Sequence, residues 1–143
     1  MNMKVKGCKI IDIKKVIEND GTLLVVEDNN NPIPFDIHRL FWVRDVAEGS
    51  SRGDHATKKT KLILIPVHGQ CKVRVDDGEN EEIIVMDDAS KGLYIEEMIW
   101  RSMFEFSKDC VMMAVADHVF EPGNETYDDY EEYLRAKKEQ DEK

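Results

Sequence analysis

Leu62-Ile63-Leu64-Ile65-Pro66-Val67-His68-Gly69-Gln70-Cys71-Lys72-Val73-Arg74-Val75-Asp76-Asp77-Gly78 is the stretch that decides the fold. Its first six residues form a near-continuous apolar run, too short for a stable helix and of the length expected for a strand buried on both faces. His68-Gly69-Gln70 reads as a tight turn. Residues 71–75 then alternate Cys71, Val73 and Val75 against Lys72 and Arg74, the period-two pattern of a strand with one buried face. Asp76-Asp77-Gly78 marks the next turn, because Asp and Gly both accept the backbone angles a reversal needs.

The same texture continues in both directions. Residues 9–13 and 23–27 are rich in strand formers, and 28–31 with Pro32 and Pro34 reads as a loop. Residues 35–43 alternate, placing Phe35, Ile37, Arg39 and Phe41 on one face, so that Arg39 is a charge on an otherwise apolar side. A Gly/Ser-rich connection at 48–54 leads to His55, and further strands are expected at 82–86, 93–95, 99–104 and 111–116. Many short strands at this spacing predict an all-β fold, a closed or sandwiched antiparallel sheet. From 127 to 138 the texture changes. Tyr127, Tyr130 and Leu134 recur at helical spacing, and acidic residues precede Arg135, Lys137 and Lys138, the order a helix dipole favours. A short C-terminal helix packing tyrosines on the sheets is expected, with a frayed end at 139–143.

The chain has 143 residues, the size of one domain, and 41% of them are hydrophobic, enough for a substantial core. Twenty Lys+Arg against thirty Asp+Glu leave a net charge of −10, which disfavours nucleic acid and anionic lipid as partners. No apolar run approaches the roughly 20 residues that span a bilayer, and no apolar signal segment follows Met1, so a cytoplasmic protein is expected. Cys8, Cys71 and Cys110 are odd in number and far apart, a pattern of free thiols packed as small hydrophobes.

The candidate chemistry centres on Arg52-Gly53-Asp54-His55-Ala56-Thr57-Lys58-Lys59. In an extended segment His55, Thr57 and Lys59 share one face, and in a small barrel that face looks into the cavity. Arg39, Arg52 and Arg101 are candidate anion partners, since a guanidinium inside a barrel is costly unless a carboxylate or phosphate matches its fork. The alternatives are pairing with the chain's own carboxylates and a cavity that holds a diphosphate. Trp42, Trp100 and Tyr94 offer ring faces for a base or sugar, or for the core. A metal is not expected: the residue two after His55 is Thr57, and His38, His68 and His118 are scattered. P-loop, GxGxxG and GxSxG motifs are missing from the sequence.

Several blocks together carry a resemblance: Phe35-Asp36-Ile37-His38-Arg39, Arg52-Gly53-Asp54-His55-Ala56, Val75-Asp76-Asp77-Gly78, Lys91-Gly92-Leu93-Tyr94-Ile95, Ile99-Trp100-Arg101 and Asp109-Cys110-Val111-Met112-Met113. In this order they resemble the WxcM-like cupins, which include the dTDP-4-keto-6-deoxyglucose 3,4-ketoisomerases of bacterial surface-sugar synthesis, over about residues 34–133. The resemblance implies a single cupin domain over 1–143, an RmlC-like jelly roll with a short C-terminal helix. In that reading residues 1–33 supply N-terminal strands exchanged in a homodimer, 34–120 the jelly-roll core and 121–143 the helix and tail.

It also implies an isomerase that moves the keto group of a dTDP-linked 4-keto-6-deoxyhexose from C4 to C3 through an enediol(ate), with no cofactor and no metal. His55 would be the acid/base and Thr57 a relay, while Arg39, Arg52, Lys59, Tyr94, Trp100 and Arg101 would hold the dTDP-sugar. One position departs from the family pattern RGxHAH: its second histidine is Thr57 here, whose hydroxyl can relay a proton but cannot store one as an imidazolium. The alternatives are therefore a nucleotide-sugar binding cupin without catalysis and a related dTDP-sugar epimerase.

Overall fold

The computed structural model describes residues 3–28, 31–123 and 125–142. Twelve strands and one helix are formed among them. Cys8–Asp12 (β1), Lys14–Glu18 (β2), Gly21–Val25 (β3), Arg39–Arg44 (β4), Arg52–Thr57 (β5) and Leu62–His68 (β6) come first. Cys71–Asp76 (β7), Glu81–Met86 (β8), Lys91–Ile95 (β9), Trp100–Phe104 (β10), Val111–Ala116 (β11), Thr126–Tyr127 (β12) and the helix Tyr130–Asp141 (α1) follow. Two five-stranded antiparallel sheets, ordered β1-β9-β6-β11-β4 and β12-β5-β10-β7-β8, form the body, and β2-β3 is a separate hairpin. Apart from the β7-β8 hairpin, consecutive strands from β4 to β12 cross between the sheets, the arrangement of a jelly roll.

The main core lies between the two sheets. Leu62 and Leu64 of β6, Leu93 and Ile95 of β9, and Met112 and Ala114 of β11 meet Val73 and Val75 of β7, Met86 of β8 and Met103 of β10. A second core lies on the outer face of the first sheet, where Ile11, Ile63, Ile65, Tyr94 and Val115 are covered by Ile13, Ile33 and Leu24. This explains the apolar run of β6: alternate residues from Leu62 to Ile65 enter different cores, so none of these four positions can be polar. Cys8, Cys71 and Cys110 are free and buried, and burial pushes the first two thiols up to about 12.

α1 lies against the outer face of the second sheet. Asp129 caps it by accepting from the Glu131 and Glu132 backbone N–H groups. Tyr133 is fully buried and its hydroxyl lies 2.9 Å from the Met98 carbonyl and 3.1 Å from that of Asp76. Tyr130 donates to Asp76 Oδ2 at 2.5 Å. Both rings pack on Trp100, with centroids at 5.2 and 5.7 Å.

The expected strand positions are found to within a few residues, but the two-residue β12 had no counterpart among them, and two further differences stand out. β2 was not expected, because its alternation is weak: only Val16 is even half-buried in an otherwise exposed hairpin strand. The strand expected at 35–43 begins only at Arg39, since Pro34 and the turn after it keep the preceding residues out of the ladder. The expected frayed end is helical as far as Asp141. Asn29 and Asn30 of the expected 28–31 loop, and Lys143 of that end, lie outside the described residues. No helix among the described residues is long and apolar enough to cross a membrane.

Candidate active site

The mouth of the sandwich opens onto a cavity of roughly 300 Å³. Arg39 and Phe41 of β4, Arg52, Gly53, His55 and Thr57 of β5, Leu62 and Leu64 of β6, Arg101 and Met103 of β10, and Phe120, Glu125 and Thr126 of the C-terminal segment line it. Its floor is apolar and its walls carry a few convergent polar groups, the usual character of a small-molecule site.

β5 brings two functional residues to the same face by breaking its own alternation. Gly53 takes φ +95° and Asp54 φ +36°, and the register against β10 slips between Arg101 and Met103. A β-bulge of this kind re-aims side chains. Arg52 and His55, three apart, consequently both reach the cavity, while Asp54 is held outside by the Ser51 hydroxyl at 2.7 Å. A glycine at the bulge also permits close approach, since a Cβ there would sit 3.4 Å from the Arg101 carbonyl oxygen.

His55 and Arg101 are register partners on neighbouring strands, and their side chains meet inside the cavity with His55 Nε2 3.3 Å from Arg101 Nη2. On the other side of the ring, Nδ1 is 3.6 Å from Asp128 Oδ1. A guanidinium can only donate, so Nε2 accepts and Nδ1 carries the ring proton toward the carboxylate. Burial first, and then the Arg101 charge, push the imidazole down from its ordinary 6.5 to about 4 against the opposing pull of Asp128, Asp54 and Glu125. At neutral pH His55 is therefore an unprotonated base with its lone pair inside the cavity.

Arg101 is 6% exposed, and its Nη1 has no hydrogen-bond partner within the protein. Burial lowers its pKa to about 10, which leaves it cationic near pH 7. A buried donor without a partner is expensive, and such a group commonly marks where a ligand oxygen belongs. Arg39 is used differently. Its Nη1 is 3.1 Å from Glu125 Oε1, and its guanidinium is held between the rings of Phe41 and Phe120 at 4.6 and 5.3 Å. Of the two alternatives read from the sequence for Arg39, the structure shows pairing with the chain's own carboxylate.

Three expected ligand residues lie elsewhere. Trp100 precedes Arg101, so strand alternation turns it to the opposite face, against Tyr130 and Tyr133. Tyr94 faces away from the inner core for the same reason and packs in the outer one, 6.4 Å from Phe35. Lys59 falls past the end of β5, where the chain has left the sheet, and pairs with Glu121 at 3.2 Å. Thr57 does line the cavity, but its hydroxyl proton is donated to the Thr60 carbonyl at 2.7 Å.

Sequence reasoning missed Phe120, Glu125 and Asp128: the first closed the expected jelly-roll core, and the other two lay in the stretch assigned to the helix and tail. The extended dipeptide Thr126–Tyr127 pairs with β5 and brings this segment to the cavity. No periodic pattern marks a strand of two residues, so the sequence carried no signal for it. Among the described residues no group of three or more His, Cys, Asp or Glu side chains is placed to hold a metal ion.

Comparison with known proteins agrees with this architecture. The family model described as FdtA, WxcM-like, C-terminal matches residues 6–138. A TDP-4-oxo-6-deoxy-α-D-glucose-3,4-oxoisomerase of Aneurinibacillus thermoaerophilus is 37% identical over 128 residues, covering 88% of this chain and 91% of the relative. Among solved structures, WlaRA, a TDP-fucose-3,4-ketoisomerase from Campylobacter jejuni, superposes with a TM-score of 0.83 at 32% identity, over 91% of this chain and 95% of that one. A mutant of QdtA, a 3,4-ketoisomerase from Thermoanaerobacterium thermosaccharolyticum solved with TDP-4-keto-6-deoxyglucose, gives 0.89 at 30% identity over 95% and 97%. With its all-β jelly roll and a match running almost end to end, the chain belongs to the WxcM-like, C-terminal family typified by FdtA.

Proposed function

We propose that this protein is a TDP-sugar 3,4-ketoisomerase that converts a TDP-linked 4-keto-6-deoxyhexose into its 3-keto isomer. The observation that carries the reading is the unprotonated Nε2 of His55 beside a buried guanidinium whose Nη1 lacks a partner, inside a cavity the size of a hexose. Relatives covering almost the whole chain carry that activity in their names, and one of them was solved with a TDP-4-keto-6-deoxy sugar.

The C4 ketone acidifies the hydrogen on C3. His55 takes it as a proton, the C–H electron pair forms the C3–C4 double bond, and negative charge moves onto O4. Arg101 is placed to hold that oxygen, and because its donors are already fixed in a buried site they need no reorganisation as the charge develops. Once the hydroxyl proton has passed from O3 to O4, the imidazolium returns its own proton to C4, leaving the ketone at C3. Arg52, exposed at the mouth and shared with an adjoining surface recess that includes Arg44, is suited to the diphosphate, whose paired oxygens match a guanidinium fork. Phe120, on the cavity lining and more than half exposed, offers a ring face to the nucleoside.

A homodimer belongs to the same reading and is supported by Leu40 and Trp42, which leave edge strand β4 with an exposed apolar outer face, and by Ile17 and Leu23 exposed on the β2-β3 hairpin. So does a cytoplasmic setting, where three buried free thiols and a nucleotide-sugar supply are at home, and a role in deoxysugar assembly for surface polysaccharide such as O-antigen.

The test is incubation with TDP-4-keto-6-deoxyglucose in D2O followed by NMR. Wild type should yield the 3-keto sugar with deuterium at its C4 and put deuterium at C3 of the remaining substrate, and H55N should do neither while binding TDP within a few fold of wild type. A thermal shift with TDP but no deuterium in the sugar would identify a binding protein without catalysis. Exchange at C5 would point to an epimerase.

A further inference from the structure

The isomerisation moves two protons, and His55 accounts for one of them. Turning a C3 hydroxyl and C4 ketone into a C3 ketone and C4 hydroxyl shifts a hydrogen between carbons and another between oxygens. The cavity lining contains few groups that can take and return the second. Its arginines do not deprotonate, and the Thr57 hydroxyl proton is committed to the Thr60 carbonyl. Among the described residues, the remaining acid/base side chain of the lining apart from His55 is Glu125.

Glu125 is held in an unusually defined way for a residue of a connecting segment. It is 8% exposed, and its own carbonyl accepts from the Lys58 backbone N–H at 2.9 Å. Oε1 accepts from Arg39 Nη1 at 3.1 Å and Oε2 from the Glu121 N–H at 3.0 Å. A carboxylate offers about four acceptor positions, so each oxygen keeps a lone pair. The next residue, Thr126, is the register partner of Thr57, which sets Glu125 beside the position where the family pattern has its second histidine.

We propose that Glu125 is the second proton-transfer group of this cavity, carrying the hydroxyl proton between O3 and O4 while His55 carries the carbon-bound one. The proposal rests on the ketoisomerase reading. His55 Nε2 first takes the C3 proton, and the enediolate forms with its charge on O4 and a proton on O3. The Glu125 carboxylate removes the O3 proton and delivers it to O4, moving the charge to O3. O3 then forms the new carbonyl, and the C3–C4 double-bond pair takes the proton held by His55 at C4. Both side chains end as they began, and no other reactant is needed.

The experiment compares wild type, E125Q and E125D with TDP-4-keto-6-deoxyglucose in D2O, following deuterium at C3 of the remaining substrate, the 3-keto product, and TDP affinity by calorimetry. E125Q should keep C3 exchange and TDP affinity within a few fold of wild type, while conversion falls about 100-fold or more, the usual weight of one acid/base group. E125D should recover part of the conversion, because it keeps the carboxylate. Conversion by E125Q near the wild-type rate would overturn the proposal. So would a parallel loss of exchange, conversion and TDP affinity in both variants, which would reduce Glu125 to the partner of Arg39. A wild-type protein that binds TDP but exchanges no C3 hydrogen would overturn the ketoisomerase reading and this one with it, an outcome visible before any variant is made.

Discussion

At the scale of the residue, the site is a contest between burial and charge around one imidazole. His55 has a guanidinium at Nε2 and a carboxylate at Nδ1, and the first, together with burial, prevails. The consequence for pH is definite. The ascending limb of kcat/KM, which reports the free enzyme, should be centred near pH 4, so activity is flat through neutrality and is lost only on strong acidification. In the complex the anionic diphosphate and enediolate oppose Arg101, so the kcat limb should sit at higher pH. A kcat/KM limb centred at 6.5 would show that neither burial nor Arg101 governs the ring. The same shift acts on stability. The folded state binds fewer protons than the unfolded state between about pH 4 and 6.5, so His55 makes stability rise with pH across that window, a slope that H55N should lose in urea melts. Arg101 gives a second prediction. A buried guanidinium with an idle donor lowers stability, so R101M should leave the fold as stable or about 1–2 kcal/mol more so, with conversion down 100-fold or more. A marked loss of stability would mean that Arg101 is structural.

At the scale of the element, the proposed catalysis depends on one irregular strand. A regular β5 would send Arg52 and His55 to opposite faces; the bulge at Gly53 aims both inward. Glycine is required there for its positive φ, and G53A should cost about 1–2 kcal/mol by equilibrium unfolding and lower kcat/KM as the bulge relaxes. Unchanged stability would mean that the bulge tolerates an ordinary side chain. β12 has the complementary role. Two residues of ladder are enough to seat Glu125 and Asp128 at the cavity, and they do so because α1 behind them is anchored by Tyr133 and Trp100. The aromatic cluster that looked like a ligand platform in the sequence thus supports the site from the far side of the sheet.

At the scale of the whole molecule, the proposed function requires an acidic chain of net charge −10 to bind a diphosphate. Its charges are segregated to suit: Arg39, Arg52 and Arg101 converge on the cavity, where, among the described residues, one buried carboxylate, Glu125, opposes them. Ligand binding should therefore stabilise the fold by mass action. TDP at 100 times its dissociation constant should add about 2.7 kcal/mol, read as a rise in Tm that falls with added salt as the charges are screened. A melting temperature indifferent to TDP would count against this cavity as its site. Light scattering in the same buffer measures whether the exposed outer faces of β4 and the β2-β3 hairpin are covered by a second copy.

The sequence by itself determined the strand-rich fold, the position of nearly every strand, the helix, and the candidates Arg39, Arg52, His55, Thr57 and Arg101 that reach the cavity, because alternation and turn chemistry are local and are written residue by residue. Tertiary structure alone decided which face of each strand looks inward. Trp100 and Arg101, or Leu93 and Tyr94, are adjacent in the chain and lie on opposite sides of a sheet, and with one core on each face of the first sheet both sides are apolar there. It alone decided that Arg39 pairs with Glu125, a contact spanning 86 positions of sequence, and that the Thr57 hydroxyl is already engaged. Contacts between segments distant in the chain are set by how sheets stack, and no periodicity within a segment records its partner.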